Sequence, residues 1–263
     1  MAGATTLIRK TIKAAVLPAG LARRRREGDL VVLLYHTIGA RKAEIDVPPD
    51  EFERQLAWLA STGLVRPLEE ALAEGGGGVV VTFDDGYRDF PETVLPLLER
   101  YRIPSTLYLA TGLVTQRRDD REGDRLDWAD LRSAVATGLV TVGSHTHDHV
   151  DLSSASEAVA DDEMRRSKEL IEDHLGTACR HFAYPWAVAS PAAELAARRH
   201  FDSAALPAWR TNRRGRTDPL RLGRTPVLRS DTGPLFRAKA SGMLDGEAMA
   251  YRLTRRGPWG RRP

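Results

Sequence analysis

Two adjacent carboxylates, Asp84 and Asp85, directly follow the apolar, β-branched run at residues 79–83 and precede Gly86. Further along the chain lies the string Ser-His-Thr-His-Asp-His at residues 144–149. One carboxylate can bind a divalent cation while its neighbour accepts a proton, and imidazoles can complete the ligand set. The two strings together therefore predict a metal site with a base beside it.

Each string also has a purely structural interpretation. Asp-Asp-Gly is a common helix-capping turn. His145, His147 and His149 offer two ligand spacings. Histidines two residues apart could bind one ion from a strand, and histidines four apart could do so from a helical turn. The spacing therefore does not decide which of the three are ligands. Cys179 is the one cysteine of the chain, which excludes an internal disulfide and disfavours a thiolate site. A mixed carboxylate and imidazole set suits zinc, with cobalt, nickel or manganese as alternatives.

Short apolar runs rich in β-branched residues alternate with helix-like segments along the chain, which is typical of a parallel sheet or barrel. Polar candidates follow four of the predicted strands: His36, the Asp84–Asp85 pair, the histidine cluster and Tyr184. In α/β barrels the active site lies at the carboxyl ends of the strands. The pattern predicts a single α/β domain with these residues at one rim.

Three strings in combination resemble the motifs of the polysaccharide deacetylases, carbohydrate esterase family four with its NodB-homology domain. They are Thr-Phe-Asp-Asp-Gly at 82–86, the histidine string at 144–149, and Arg-His-Phe-Ala-Tyr-Pro at 180–185. The resemblance covers residues 30 to 230. It implies a distorted (β/α) barrel and hydrolysis of N-acetyl, sometimes O-acetyl, groups on sugars.

The resemblance also implies roles for individual residues. Asp84 matches the general base, and Asp85, His145 and His149 match the metal ligands. His147 then becomes a neighbour of the ion rather than a ligand.

The third motif implies further roles. Arg180 matches the arginine that pairs with the base, and Tyr184 the residue whose backbone N–H helps to form an oxyanion hole, with its ring in the substrate groove. Trp186 is the tryptophan best placed to line that groove.

Two features depart from the usual pattern of the family. No histidine follows His200, so the late Leu-x-His motif is missing, whereas Leu34-Tyr35-His36 fits it near the start. This order resembles the permuted exopolysaccharide N-deacetylases and makes His36 the candidate general acid, the alternative being a buried histidine at a strand end. Ala187 stands where the family usually has glycine, and alanine is tolerated there if its φ is negative.

The resemblance predicts a metal-dependent hydrolase that removes N-acetyl groups from a polysaccharide or glycan intermediate and releases acetate. One alternative keeps the fold but hydrolyses O-acetyl esters or non-sugar amides. A second alternative is a catalytically silent sugar-binding module, against which the complete set of base and ligands argues.

Charge patterning divides the chain into a basic amphipathic segment at 1–28, a catalytic domain at 29–235 and a basic extension at 236–263. The net charge is +3, with arginine runs at 23–26, 255–256 and 261–262. Such runs are usually solvated, but they can also contact an acidic membrane surface. No aromatic and basic platform accompanies them, so nucleic acid is not expected as a partner.

The apolar stretch at 14–22 is shorter than the ~20 residues of a membrane span, and arginines follow it. We expect a cytoplasmic protein with peripheral contact to the inner membrane face.

Overall fold

The computed structural model describes residues 28–40, 43–73, 76–114, 125–213 and 215–243. Its strands are β1 (Asp29–Tyr35), β2 (Thr37–Ile38), β3 (Asp46–Val47), β4 (Gly78–Asp84), β5 (Ser105–Leu109), β6 (Val140–Ser144), β7 (His181–Ala183), β8 (Ser203–Pro207), β9 (Asn212–Arg213) and β10 (Leu222–Pro226). Its helices are α1 (Pro49–Thr62), α2 (Leu68–Leu72), α3 (Leu95–Tyr101), α4 (Trp128–Ala136), α5 (Glu157–Leu175), α6 (Pro191–His200) and α7 (Gly233–Ala240).

Seven parallel strands close into a barrel in the order β1-β4-β5-β6-β7-β8-β10, because β10 also pairs with β1. The predicted distorted (β/α) barrel is therefore confirmed. Its irregularity is visible at two places: β6 and β7 share the single pair Ser144–Phe182, and β9 runs antiparallel to the first residues of β1.

The strands are buried on both faces, as expected of a parallel barrel covered by helices. Alternate residues of β1 belong to two different apolar clusters: Leu30 and Val32 face the barrel interior, whereas Val31 and Leu33 pack outward. The interior cluster also includes Leu68 of α2. The other helices pack on the outside of the barrel and add to the outer cluster.

Asn212 fills the seam between β1 and β10 at the amino-terminal end of the barrel. Its amide nitrogen donates to the carbonyl oxygen of Gly223 at 2.8 Å, and its amide oxygen accepts from the Gly223 N–H at 2.7 Å. A second, longer bond of 3.4 Å reaches the Leu30 carbonyl. Because it replaces missing strand-to-strand bonds, Asn212 fixes the part of β10 that immediately precedes Arg224.

The last described helix crosses the expected domain boundary at residue 235. In α7, Phe236 and Lys239 are buried, and the Lys239 ammonium donates to Asp231 at 2.6 Å and to the Pro226 carbonyl at 2.9 Å. The folded barrel domain thus includes α7. The basic segment at 1–28, apart from Gly28, and the extension beyond residue 243 lie outside the described residues.

Within the described ranges, no helix has both the length and the apolar character needed to cross a membrane.

Candidate active site

Strand β4 ends at Asp84, and the chain then turns sharply through Asp85 and Gly86. Asp85 has φ 74° and Gly86 has φ 75°, and the Asp85 N–H donates to the Tyr108 carbonyl at 3.0 Å. A Cβ at residue 86 would lie 2.6 Å from Leu109 Cδ1, so this turn requires glycine. No side chain of the turn caps a helix; both carboxylates point to the rim of the barrel, which excludes the capping interpretation.

The structure brings Asp85, His145 and His149 together into a group that could hold a metal ion. Asp85 Oδ1 lies 3.3 Å from His149 Nε2 and 3.5 Å from His145 Nε2. The three ligand atoms all lie within 4.8 Å of one another. His147 is directed elsewhere, since its Nδ1 lies 2.9 Å from the Thr111 hydroxyl.

The chemistry of this group fits a cation. Asp85 Oδ1 is buried and makes no hydrogen bond of good geometry. His145 Nδ1 lies 2.7 Å from the Ala183 carbonyl oxygen. A carbonyl can only accept, so Nδ1 carries the hydrogen and Nε2 presents its lone pair towards Asp85.

Burial and charge set the protonation of this group. Burial lowers the pKa of His145 to about 4 despite the opposing charge of Asp84, so the ring is neutral as a ligand must be. For Asp85, burial would raise the pKa, but the His149 ring outweighs it and holds the pKa well below its ordinary value. Both groups are therefore in their ligating form near neutral pH.

Asp84 forms a buried, two-pronged ion pair with Arg224 of β10. The guanidinium nitrogens lie 2.6 Å and 2.7 Å from the two carboxylate oxygens, and the side chains are 0% and 4% exposed. Burial raises the pKa of Asp84, but the charge of Arg224 outweighs it, and the net pKa lies below the ordinary value. Asp84 is therefore an ionised carboxylate beside the cation group, and each oxygen keeps a second lone pair for a water.

The expected pairing of Arg180 with Asp84 is wrong. Arg180 precedes β7 at the amino-terminal end of the barrel, whereas Asp84 ends β4 at the opposite, carboxyl-terminal end. The Arg180 side chain is 58% exposed, and its guanidinium lies 3.7 Å from the carboxylate of Asp202. Arg224 takes that place. It is the single charged residue of β10, whose sequence is Leu-Gly-Arg-Thr-Pro and whose five residues are all buried. A lone charge in an otherwise uncharged strand was the only sequence signal for it.

Tyr184 is also not where the resemblance implies. Its N–H donates to the Ala205 carbonyl at 3.0 Å as part of the pairing of β7 with β8, so it is not available to an oxyanion. Its ring is 1% exposed and packs edge-on against Phe182, with centroids 5.0 Å apart, in the outer cluster. The reason is strand alternation: Ala183 faces the barrel interior, so Tyr184 faces outward.

His36 directly follows β1 and lies at the same rim. Burial lowers its pKa, and the charges of Asp85 and Asp84 oppose this, with smaller contributions from Arg224 and His149. Strands β1 and β4 are parallel with Tyr35 opposite Phe83, so His36 and Asp84 are the next residues of the two neighbouring strands. The sheet register therefore brings the backbone of His36 to the rim where Asp84 lies.

Trp186 is partly exposed and lies against the metal-binding group. Its indole N–H donates to the His149 carbonyl at 3.1 Å, and the two rings lie 5.1 Å apart. Trp186 and Ala187 have φ values of 56° and 63°. The condition of a negative φ at Ala187 is thus not met, and this alanine is held in a strained conformation that glycine would adopt freely.

Comparison with known proteins identifies relatives of this chain. The sequence model of the family described as "Polysaccharide deacetylase" matches residues 73–200, which include the aspartate pair and the histidine cluster but neither His36 nor Arg224. Poly-beta-1,6-N-acetyl-D-glucosamine N-deacetylase of Staphylococcus aureus is 28% identical over 155 residues, which are 53% of this chain and 53% of that protein. The chain spans about half the length of the curated relatives it matches.

Solved structures share the fold over a larger part of the chain. The structure of IcaB from Ammonifex degensii has a TM-score of 0.70 and 27% identity, covering 84% of this chain and 99% of that one. The Streptococcus pyogenes deacetylase PplD in complex with acetate has a TM-score of 0.71 and 24% identity, covering 81% and 98%. Both structures support the barrel architecture. IcaB has the higher sequence identity to this chain of the two.

Proposed function

Because this chain belongs to the polysaccharide deacetylase family, we propose that it is a divalent-metal-dependent hydrolase that removes N-acetyl groups from a glycan and releases acetate. One observation carries the proposal: the Asp85, His145 and His149 group lies beside an ionised, buried Asp84 held by Arg224. A cation-binding group and a base at one barrel rim are the two components that water-dependent acyl hydrolysis needs.

Asp85, His145 and His149 would hold the ion, and the mixed carboxylate and imidazole set favours zinc. When bound, such an ion supplies a Lewis acid that polarises the acetyl carbonyl and makes a water more acidic. The Ala183 carbonyl orients the His145 ring for this task, and the indole N–H of Trp186 holds the backbone carbonyl of His149. Three protein ligands would leave a coordination position free for water and substrate, as in catalytic rather than structural sites.

Asp84 is the proposed general base. It accepts a proton from the attacking water while the water oxygen forms a bond to the acetyl carbon. Arg224 grips both carboxylate oxygens, which fixes the orientation of Asp84 and keeps it ionised in a buried place. The Tyr184 N–H takes no part in stabilising the oxyanion, because it is committed to Ala205.

His36 is the proposed general acid. When the C–N bond breaks, the imidazolium form of His36 gives its proton to the sugar nitrogen and returns to the neutral ring, and the products are acetate and a free amine. An amine leaves poorly unless it is protonated, whereas an alcohol can leave from an ester with less assistance. A histidine beside the base therefore favours the amide over the alternative O-acetyl ester substrate.

The substrate class proposed is a β-linked N-acetylglucosamine polymer, because the Staphylococcus aureus relative is a poly-beta-1,6-N-acetyl-D-glucosamine N-deacetylase. The rim is open to solvent at His149, whose side chain is 21% exposed. An extended glycan could therefore present an acetamido group without entering the barrel.

The test is acetate release from metal-stripped and zinc-reconstituted protein on β-1,6-linked and β-1,4-linked N-acetylglucosamine oligomers and on an O-acetyl ester. Asp84→Asn should abolish release while zinc still binds, because Asn cannot accept the proton. Asp202→Asn is the matched control, since that carboxylate is exposed at the other end of the barrel. Release from the ester alone would favour the esterase alternative, and zinc binding without any release would favour the sugar-binding module.

We also propose that the protein is cytoplasmic and contacts the inner membrane face through the basic segment at 1–28. The support is its sequence pattern alone: apolar residues followed by four consecutive arginines at 23–26. Full-length protein should sediment with vesicles containing anionic lipid but not with neutral vesicles. Replacing the four arginines with glutamine should abolish sedimentation, and unchanged sedimentation would contradict the proposal.

A further inference from the structure

The loop that joins the two metal-binding histidines has an unfavourable backbone shape. Thr146 has φ 65° and His149 has φ 56°. A positive φ is uncommon for any residue with a side chain and is a genuine outlier for a β-branched threonine. Such conformations persist only where neighbouring groups hold them, so the contacts of this loop decide where His149 lies.

Glu163 of α5 makes two of these contacts. Its Oε2 accepts the N–H groups of His147 at 3.0 Å and of Asp148 at 2.8 Å. The residue is 6% exposed, so water does not compete for the carboxylate. Hydrogen bonds to an ionised acceptor are stronger than those between neutral groups. One side chain thus ties down the middle of the loop between its two strained residues.

The same face of α5 also reaches the beginning of the loop. One turn after Glu163, the hydroxyl of Ser167 accepts from that of Ser144 at 2.9 Å, and Ser144 Oγ accepts the Thr146 N–H at 3.3 Å. On the opposite side, the Gly112 N–H donates to the His147 carbonyl at 2.8 Å. The loop is therefore clamped between α5 and the 111–113 turn.

We propose that Glu163 is a positioning residue for the metal site: by holding the 147–148 backbone it places His149 against Asp85 and so raises the affinity for a divalent cation. The proposal rests on the proposed metal dependence. It predicts an effect on metal affinity that is separate from any effect on folding.

Glu172, on the same helix, provides a matched control. Its carboxylate accepts the Cys179 N–H at 2.9 Å and pairs with Lys168 at 2.9 Å. It therefore ties backbone to α5 in the same manner, but it contacts no residue of the metal-binding group. If Glu163 only stabilised the fold, replacing either glutamate would have the same consequences.

The experiment measures zinc affinity by competition with a chromophoric chelator, together with the thermal melting of the metal-free protein. Glu163→Ala should bind zinc about 10- to 100-fold more weakly, the usual range for groups that orient a ligand. Glu163→Gln keeps a carbonyl oxygen as acceptor and should therefore lose less zinc affinity than Glu163→Ala. Glu172→Ala should lower the melting temperature while zinc affinity stays at the wild-type value. Cobalt-loaded Glu163→Ala should also show altered visible absorption bands, since His149 would be displaced.

Wild-type zinc affinity in both Glu163 variants would overturn the proposal, and so would equal losses in the Glu163 and Glu172 variants. If Glu163→Ala does not fold, Glu163→Gln and Ser167→Ala provide the test, and unchanged affinity in both would overturn it. Failure of the proposed metal dependence gives a different result, because the wild-type protein would then bind no zinc at all. Failure of the proposed deacetylase activity alone would leave the zinc affinities of all variants unchanged and would show only as the absence of acetate release.

Discussion

Replacing Arg224 with methionine should destabilise the protein severely, because it leaves the Asp84 carboxylate buried without its partner. Both side chains are almost fully excluded from water and are joined by bonds of 2.6 and 2.7 Å, so solvent does not screen the pair. Breaking a buried pair of this kind costs about 3–5 kcal/mol. For a chain of this size that loss lowers Tm by on the order of 10 °C.

The assay is thermal and urea unfolding of the metal-free protein at neutral pH. Arg180→Met is the matched control, because its exposed contact with Asp202 at 3.7 Å should contribute less than about 1 kcal/mol. The double variant Asp84→Asn with Arg224→Met removes both charges and should recover most of the stability that Arg224→Met alone loses. A loss below about 1 kcal/mol in Arg224→Met, or strictly additive losses in the double variant, would refute the reasoning.

Three further predictions concern the strained backbone at Ala187, the buried thiol of Cys179 and the proposed general acid His36. Ala187→Gly should stabilise the protein by about 1 kcal/mol in urea unfolding, because φ is 63° there. Ala73→Gly, at φ −66°, should not stabilise it, and equal gains at both positions would contradict the strain argument. Burial raises the pKa of Cys179 to about 12. A disulfide reagent at pH ~8 should therefore leave the native protein unmodified and label Cys179 only after unfolding. Rapid labelling of the native protein would contradict this prediction, because it would show that the thiol is accessible. His36→Gln should lower kcat on the sugar amide about 10²-fold or more but reduce hydrolysis of an activated acetyl ester far less. Equal losses on both substrates would remove His36 from the role of acid.

Sequence alone was sufficient to predict the barrel and the rim that carries the site. Strand patterns are local, and in a closed parallel sheet every strand end that carries a polar residue lies at the same rim. For this reason the strand pattern by itself assigns His36, Asp84, Asp85 and the histidine cluster to one site. Helix α5 also follows from local sequence, because Ser156 caps its first turn and Gly176 ends it in a left-handed conformation.

Tertiary structure alone decided which side chains face that site. Arg180 directly precedes β7, whereas Arg224 lies within β10, and only the position and register of β10 direct Arg224 into the barrel towards Asp84. Tyr184 follows an inward-facing Ala183, and this alternation is set by how the closed barrel places β7, a strand of three residues. Residues that meet across the fold, such as Glu163 with the 147–148 backbone, leave no periodic trace in the sequence, because their contact depends on packing between separate elements.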